Sequence, residues 1–221
     1  MSLLSRSEVD TKSWLLSLRG SAPVILAGMV GIGLSWLGLR VLSKQPDRDL
    51  ALALYSLGSN PSILYIALAM ATIGNVIWVP LVFWLYVFRK NRHEWTSAAV
   101  LAVAIAASMA ASDLLKMIFD LNRPFILYPS EFPLRVGMPT NKAFPSGHTT
   151  MAFTVAAFVW RRYPAWRVPF LAVAVGTGVS MIVIGIHFPS DVIAGACLGT
   201  VSAAFATGLA RLRAEPETVT G

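Results

Sequence analysis

Apolar runs separated by short polar connections take up most of this 221-residue chain. Hydrophobic residues make up 56% of the sequence and charged residues 13%, whereas an ordinary soluble domain carries about 25% charged residues. A helix of about 20 apolar residues crosses the bilayer core and satisfies its own backbone hydrogen bonds. The sequence therefore predicts an all-α integral membrane protein and excludes an ordinary soluble domain.

Six membrane spans account for these apolar runs. The fourth is the shortest, so its helix is expected to begin below the level of the lipid headgroups or to continue into Arg161 and Arg162. The predicted spans are, in order, about Ser21 to Leu42, Ser62 to Phe88, Thr96 to Phe119, His148 to Trp160, Val168 to Ile186 and Val192 to Leu212.

The remaining segments are too short or too polar to cross a membrane. Residues 1–20 mix leucines with charges and are expected to form a cytoplasmic, interfacial segment. Residues 43–61 are expected to lie along the membrane surface, and residues 214–221 to form a short cytoplasmic tail. Neither an internal repeat nor a low-complexity linker divides the sequence, so residues 1–221 are predicted to form a single domain.

The basic residues of the connections predict the orientation of the spans. The net charge is +7, and the cations occur in short groups between apolar runs, which suits anionic lipid headgroups and not a nucleic-acid partner. Six spans place eleven basic residues on one side and seven on the other. Because basic loops favour the cytoplasm, we predict a multi-pass protein of the cell (inner or plasma) membrane with both termini cytoplasmic.

Three polar islands interrupt the apolar pattern in the second half of the chain. The first runs from Lys116 to Pro124, the second from Pro145 to Thr149 and the third from Ser180 to Asp191. In the six-span arrangement all three fall at the extracytoplasmic end of spans three to six. We therefore expect them to form one site built by transmembrane helices 3–6.

The first island carries two cations. Lys116 and Arg123 are seven residues apart, about two turns of a continuous helix, but Pro124 disfavours helical geometry at Arg123, so the helix is expected to end here. A lysine point charge and a planar guanidinium fork suit the oxygens of one phosphate. The alternative is a pair of interfacial cations, each held by the aspartate three residues before it, Asp113 or Asp120.

The second island, Pro145-Ser146-Gly147-His148-Thr149, precedes an apolar run and predicts a helix N-terminus. Ser146 can cap that helix, Gly147 lets the backbone approach a ligand, and the free amides of the first turn attract anions. His148 stands where it could donate a proton to a leaving oxygen. The alternative is an ordinary capped helix start with a hydrated histidine.

The third island ends in a histidine and a carboxylate. His187 and Asp191 are separated by Phe188-Pro189-Ser190, a break between two spans. A carboxylate at this spacing can orient the imidazole through one ring nitrogen and leave the other free for nucleophilic attack. The alternative is a structural hydrogen bond at a membrane turn.

A metal site is a further alternative. His148 and His187, with Asp191 or Asp120, would supply two imidazoles and one carboxylate. The cations of the first island oppose this arrangement because they would repel a bound metal ion. The single Cys197 excludes a disulfide framework and a cysteine-based metal site.

The three islands resemble the three signature motifs of the type-2 phosphatidic acid phosphatase superfamily, which includes membrane lipid phosphate phosphatases and polyprenyl pyrophosphate phosphatases. Its first motif (lysine, six residues, arginine, proline) matches Lys116 to Pro124. Its second (proline-serine-glycine-histidine) matches Pro145 to His148. Its third (serine-arginine, five residues, histidine, three residues, aspartate) matches the spacing of Ser180, His187 and Asp191. The order of the motifs and the six-span arrangement also agree.

The resemblance assigns a role to each residue. His187 would attack phosphorus and form a phosphohistidine, Asp191 would position it, and His148 would protonate the leaving group and then activate water. Fixed cations and amides would stabilise the charge, so neither a metal nor another cofactor is expected. The phosphoryl oxygens would be held by Lys116, Arg123, Ser146, Gly147 and Ser180.

The activity that the resemblance implies is hydrolysis of a lipid phosphate monoester or pyrophosphate, of the phosphatidic acid, phosphatidylglycerophosphate or polyprenyl pyrophosphate type. The substrate would be amphiphilic, with its headgroup in the pocket and its tail in the membrane lipid. An alternative is a phosphotransferase that passes the phosphoryl group from His187 to an acceptor lipid instead of water.

One position departs from the family pattern. Met181 stands where the third motif has an arginine, and a thioether does not bind phosphate. The pocket could recruit Arg135 or Lys142 in its place, or the chain could be a weakened phosphate-binding or scaffold homologue. Restoring the cation with Met181→Arg is expected to raise turnover or tighten phosphate binding.

Overall fold

The computed structural model describes residues 21–42, 44–74 and 95–214. Within these ranges the regular structure is helical, which confirms the predicted all-α class. A π-helical stretch (Ser35–Leu42) continues the first helix, and a 3₁₀ turn (Pro164–Trp166) precedes the seventh. The α-helices are α1 (Ala22–Leu34), α2 (Lys44–Leu57), α3 (Pro61–Gly74), α4 (Trp95–Phe119), α5 (Pro124–Leu127), α6 (Gly147–Arg162), α7 (Arg167–Val183) and α8 (Pro189–Ala214).

Three of the described helical segments are long and apolar enough to cross a membrane, namely Trp95–Leu127, Pro164–Val183 and Pro189–Leu209. A fourth is reached if the bent pair α2 and α3 is one span, and the apolar helix Ala22–Gly38 is shorter. These helices support a membrane location and match part of the six-span prediction. The second predicted span continues beyond the described residues, and the predicted interfacial segment and most of the predicted tail lie outside them.

The segment predicted to lie along the membrane surface is helix α2. It bends by 111° into the apolar helix α3. Asn60 produces the start of α3, because its side-chain oxygen accepts a 2.9 Å hydrogen bond from the main-chain N–H of Ser62, and Pro61 occupies the first helical position, where its missing N–H costs nothing. α2 therefore changes direction sharply before the chain enters the next apolar helix.

Helices α6 and α8 pack backbone against backbone through two glycines. A β-carbon at Gly195 would lie 2.6 Å from the carbonyl oxygen of Ser146, and one at Gly199 would lie 2.3 Å from that of Thr150. Residues four apart share one face of a helix, so both glycines belong to a single contact strip. This close approach brings the N-terminus of α6 beside that of α8.

Two apolar clusters surround these helices. The inner cluster joins α4, α6, α7 and α8, and its larger members are Leu101, Val155, Phe158, Val159 and Phe170. The outer cluster joins α2, the segment after α4 and the end of α7, and its larger members are Tyr55, Phe125, Phe132, Met181, Ile186 and Phe188. The polar islands lie at the ends of the helices where the outer cluster forms.

The end of α7 is set by Gly185, whose φ of 85° lies in the left-handed region that favours glycine. The N–H of Gly185 donates to the carbonyl of Ile182 (2.9 Å), and the N–H of Ile186 donates to that of Met181 (3.2 Å). These two bonds form a Schellman motif, in which the residue after the glycine contacts one in the last helical turn. The motif ends the helix and delivers His187 to the site.

Polar contacts fasten α2 to the loop that follows α5. The guanidinium of Arg48 donates to the carboxylate of Glu131, with Nε at 2.8 Å from Oε2. The hydroxyl of Tyr55 donates to the carbonyl of Pro133 at 2.7 Å. Arg135 donates to the carbonyl of Tyr55 at 2.7 Å, and its guanidinium lies 3.6 Å from the centre of the Tyr55 ring. α2 is therefore held over the end of the helix bundle by several independent contacts.

Candidate active site

Residues from all three polar islands line one cavity of about 250 Å³. Lys116 and Arg123 come from the first island, Gly147 and His148 from the second, and His187 from the third. The other described lining residues are Met109, Asp113, Pro139, Asn141, Met151 and Ile186. The structure therefore brings residues of the three islands together in one cavity.

His187 is held by a carboxylate that is itself held by the main chain. The Nδ1 atom of His187 lies 3.2 Å from Oδ2 of Asp191. The same Oδ2 accepts a 2.9 Å hydrogen bond from the main-chain N–H of Phe188. His187 is 2% exposed and Asp191 is fully buried, so the contact is shielded from water.

The other ring nitrogen of His187 faces a cation. Nε2 lies 3.2 Å from Nη1 of Arg123. An arginine only donates and a carboxylate only accepts, so the hydrogen of the neutral ring belongs on Nδ1 and the lone pair on Nε2. The geometry thus presents Nε2 as the nucleophilic atom.

Burial keeps this imidazole neutral. The pKa of His187 is lowered to about 4, chiefly because the ring is removed from water, and the charges of Arg123 and His148 act in the same direction. The hydrogen bond to Asp191 opposes the shift and does not overcome it. At neutral pH the lone pair is therefore available.

Arg123 is fixed by main-chain and side-chain oxygens. Its Nε donates to the carbonyl of Asn141 (2.9 Å), its Nη2 to Oδ1 of Asn141 (2.6 Å), and its Nη1 to the carbonyl of Ile186 (2.9 Å). The backbone of Arg123 is extended, with φ of −80° and ψ of 160° before Pro124. The predicted end of the helix before this residue is confirmed, since α4 ends at Phe119.

Lys116 is the second cation of the cavity. Its Nζ lies 3.0 Å from Oδ1 of Asp113, as the interfacial-pair alternative predicted. The other half of that alternative is wrong, because Asp120 pairs with Lys142 at 2.8 Å. Nζ would lie 3.3 Å from a β-carbon at Gly147, so the absence of a side chain there lets the ammonium approach the start of α6.

Ser146 occupies the N-cap position of α6 without acting as a side-chain cap. Its hydroxyl accepts a 3.0 Å hydrogen bond from the hydroxyl of Thr149 instead of bonding a first-turn amide. Its main-chain N–H donates to the carbonyl of Asp191 at 2.9 Å. The described lining of the cavity does not include Ser146, and its contact with phosphate stays a prediction.

Ser180 and Met181 lie behind the cavity. The hydroxyl of Ser180 donates to the carbonyl of Thr177 at 2.7 Å, within its own helix, so its contact with phosphate also stays a prediction. Met181 is fully buried in the outer apolar cluster. The described lining of the cavity includes neither residue.

The two cations suggested as substitutes for an arginine at position 181 have other contacts. Arg135 donates to the carbonyls of Tyr55 (2.7 Å) and Val183 (2.9 Å). Lys142 contacts Asp120 and the side-chain oxygen of Asn122, the latter at 3.2 Å. Neither residue lines the cavity in the part of the chain that the structure describes. The lysine and arginine side chains that line it there are those of the first island.

Sequence reasoning missed Asn141. Its carbonyl and side-chain oxygens both accept from Arg123, 18 residues away. A lone asparagine in a loop carries no signal in sequence, except that it lies close before the second island. Its role follows only from the fold of the loop.

A metal-binding donor set is not found in ranges 21–42, 44–74 and 95–214, where no group of three or more histidines, cysteines, aspartates or glutamates could hold an ion. Asp191 lies behind His187 and contacts its Nδ1 atom. The two-histidine, one-carboxylate alternative therefore has no matching geometry in the described residues.

Fold and site together define a class: a helical membrane protein whose cationic cavity contains a neutral histidine held by an aspartate. Residues 97–214 match the sequence profile of the PAP2 superfamily. This match covers more than half of the chain and contains all three polar islands, and the chain belongs to that superfamily.

Two of the following three relatives are named as a lipid phosphatase and a polyprenyl diphosphatase. The chain is 32% identical over 109 residues to the lipid A 1-phosphatase of Rhizobium etli, covering 48% of this chain and 47% of that protein. It is 27% identical over 125 residues to the undecaprenyl-diphosphatase of Sulfolobus acidocaldarius, covering 56% and 59%. It is also 33% identical over 129 residues to the bacitracin transport permease protein BcrC of Bacillus licheniformis, covering 56% and 59%. The chain thus spans about half the length of the curated relatives it matches.

Solved structures share the fold over more of the chain. A transmembrane PAP2 type phosphatidylglycerolphosphate phosphatase from Bacillus subtilis superposes with a TM-score of 0.67 at 19% identity, covering 89% of this chain and 98% of that one. Aquifex aeolicus LpxE superposes with a TM-score of 0.59 at 28% identity, covering 72% and 93%. The first comparison supports the fold alone because its sequence identity is low.

Proposed function

We propose that this protein hydrolyses a lipid phosphate monoester or pyrophosphate through a phosphohistidine on His187. The observation that carries the proposal is the arrangement of that ring, with Nδ1 held by Asp191 and Nε2 turned to the cationic cavity. A neutral imidazole at this position is a nucleophile, and fixed cations beside it stabilise the charge on a transferring phosphoryl group.

In the first step, Nε2 of His187 attacks phosphorus and the bond from phosphorus to the leaving oxygen breaks. His148, which lines the same cavity, gives a proton to that oxygen. Asp191 stabilises the ring as it becomes positively charged. Lys116 and Arg123 neutralise the phosphoryl oxygens.

In the second step, water attacks the phosphohistidine. His148 accepts a proton from the water as the bond from phosphorus to Nε2 breaks. The products are inorganic phosphate and free His187. No metal takes part in this scheme because the cavity's own cations supply the positive charge, so a chelator should leave turnover unchanged.

Arg123 has to change partners during this cycle. Before substrate binds, its Nη1 lies at hydrogen-bond distance from the lone pair that must attack. A phosphate oxygen is a stronger acceptor for guanidinium than a neutral imidazole. Substrate binding therefore transfers the arginine from the histidine to the phosphate and frees Nε2.

The substrate of this scheme is amphiphilic. The cavity lies at the ends of apolar helices, so a headgroup can reach it while the lipid tail stays between the helices and the bilayer. The phosphatidic acid, phosphatidylglycerophosphate and polyprenyl pyrophosphate types are candidates, and relatives named for lipid A and undecaprenyl phosphates support this range. The distribution of basic residues supports cytoplasmic termini, an extracytoplasmic cavity and a location in the cell membrane.

The test is phosphate release from a panel of these lipids by purified protein in detergent micelles and in liposomes. We expect turnover in wild type, none above background in His187→Ala, and a base-stable radioactive label on wild type after a brief reaction with ³²P-labelled substrate. Equal, negligible turnover in wild type and His187→Ala across the panel would favour a phosphate-binding or scaffold protein. Transfer of the label to a second lipid, in place of release, would identify a phosphotransferase.

A further inference from the structure

The turn that carries Asp191 is held by hydrogen bonds to residues from the N-terminal part of the chain. The main-chain N–H of Ser190 donates to Oδ1 of Asp47 at 2.9 Å, and its hydroxyl donates to Oδ2 at 2.6 Å. On the other side, the hydroxyl of Ser35 donates to the carbonyl of Ser190 at 2.7 Å. Ser190 is fully buried, and Asp47 and Ser35 are each 3% exposed. Three hydrogen bonds in a dry environment therefore fix this single residue.

Asp47 acts as an N-terminal cap supplied by another helix. Ser190 follows Pro189, the first residue of α8, and Pro189 has no N–H to offer. The N–H of Ser190 would have no acceptor within its own helix at this position, and the carboxylate of Asp47 provides one. The positive end of the helix dipole also stabilises a negative charge there.

The hydrogen bonds to Ser190 affect the catalytic geometry because Ser190 is joined directly to Asp191. Ser190 precedes Asp191, whose Oδ2 holds Nδ1 of His187. A shift of the first turn of α8 would move that oxygen away from the ring. We propose that Asp47, assisted by Ser35, is a positioning residue that sets the angle at which His187 meets phosphorus.

This inference rests on the proposed phosphatase function and adds a part of the chain to it. Asp47 and Ser35 precede residues 97–214, which carry the family match. The N-terminal helices therefore complete the site as well as the bundle, although none of the three polar islands lies in them.

Other contacts hold α2 in place, so the effect of Asp47 on Ser190 can be tested separately from the attachment of the helix. Arg48 binds Glu131, Tyr55 binds the carbonyl of Pro133, and Arg135 binds the carbonyl of Tyr55. These contacts do not involve Asp47. Removing the Asp47 carboxylate should therefore leave α2 in place and release Ser190.

The experiment compares three variants on the same helix. Asp47→Ala removes both acceptors and should lower kcat about 10- to 100-fold, the scale of a misplaced catalytic group, with KM within about threefold because the phosphate-binding cations remain. Asp47→Asn keeps an acceptor for the N–H of Ser190 and should recover most of the turnover. Asp49→Ala, at an exposed neighbour that contacts Gln45, should match wild type.

A second readout does not need turnover. Buried His187 should react slowly with diethyl pyrocarbonate, as followed by mass spectrometry of its peptide. Asp47→Ala should speed that reaction at least about tenfold, since loosening the turn exposes the ring. Asp49→Ala should react at the wild-type rate. Ser35→Ala removes one hydrogen bond to Ser190 and should also speed the modification of His187, by a smaller factor. This variant keeps the test usable if Asp47→Ala does not fold.

The outcomes are distinct. A selective loss of kcat in Asp47→Ala, recovery in Asp47→Asn and the matching change in His187 reactivity support the inference. Unchanged turnover and reactivity in folded Asp47→Ala overturn it. Equal losses in Asp47→Ala and Asp47→Asn that follow their melting temperatures also overturn it, because the role would then be structural. If wild type turns over none of the lipids, the proposed function fails, and the ranking of His187 reactivity alone decides the positioning role.

Discussion

The main-chain N–H of Ser146 donates a 2.9 Å hydrogen bond to the main-chain carbonyl of Asp191. This bond joins the start of α6, which carries His148, to the start of α8, which holds His187. The proposed acid and the proposed nucleophile are therefore related by backbone geometry. Their relative position depends on how closely the two helices approach.

That approach depends on Gly199. Gly199→Ala places a β-carbon 2.3 Å from the carbonyl oxygen of Thr150, so the helices must separate, at a cost of about 1–3 kcal/mol typical of overpacking. We expect a lower melting temperature in detergent and reduced turnover. Gly33→Ala is the control, because among the described residues no atom beyond its own stretch of helix lies within 4 Å of a β-carbon there, and it should be neutral or slightly stabilising. Equal stability of the two variants would contradict the contact.

Asn141 should support turnover because it holds the guanidinium of Arg123 in place. Asn141→Ala removes the side-chain acceptor 2.6 Å from Nη2, a hydrogen bond to a charged group worth about 1.5–3 kcal/mol. We expect kcat/KM to fall by about 10- to 100-fold, together with a moderate drop in melting temperature because the same bond also stabilises the folded protein. Steady-state kinetics on the best lipid of the panel measures this. Asn122→Ala, at a residue that accepts from Lys142 instead, should lose much less; a similar loss in both variants would argue against a specific role.

His187 makes stability depend on pH in a defined direction. Its pKa in the folded protein is about 4, below the value of about 6.5 for an unperturbed histidine. Between these values the unfolded chain binds a proton that the folded protein does not, so stability falls as pH is lowered from 6.5 to 4 and this contribution levels off below 4. Thermal unfolding across that range should show a shallower loss in His187→Gln than in wild type. Parallel curves for the two proteins would contradict the shifted pKa.

The buried position of Met181 reverses the expectation, taken from the family pattern, that Met181→Arg raises turnover or tightens phosphate binding. Met181→Arg buries a cation in the outer apolar cluster, because Met181 is fully buried and packs there, and an unpaired buried charge is strongly destabilising. We now expect lower stability and no gain in turnover, measured by thermal unfolding and phosphate release. Met181→Leu, a swap of similar volume, should cost less than about 1.5 kcal/mol. Higher turnover at unchanged melting temperature in Met181→Arg would mean that the arginine reaches the cavity.

The sequence predicted the parts of the site that are local. The spacing of His187 and Asp191, the helix end before Arg123 and the helix start at Gly147 are each decided within a few residues. The Schellman end of α7 is local as well, and Gly185 could have predicted it. That motif also explains the apolar residue at position 181, since Met181 and Ile186 belong to the same cluster at the helix end.

Contacts between distant segments could not be predicted from the sequence pattern. Asp47 and Ser190 are 143 residues apart, and in sequence Asp47 belongs to an ordinary charged connection at the membrane surface. Whether such a carboxylate caps another helix depends on the 111° bend between α2 and α3 and on the loop that anchors α2. These are properties of tertiary packing, which hydrophobic periodicity does not encode.

The contact between Arg123 and Nε2 of His187 has a consequence for regulation by product. For the proposed phosphatase, the resting enzyme keeps its nucleophile covered by the guanidinium that must later bind the headgroup. Inorganic phosphate offers that guanidinium the same oxygens as a substrate does. The resting arrangement therefore favours product inhibition, and the rate of lipid dephosphorylation would fall as the free phosphate concentration rises on the side of the membrane where the cavity opens.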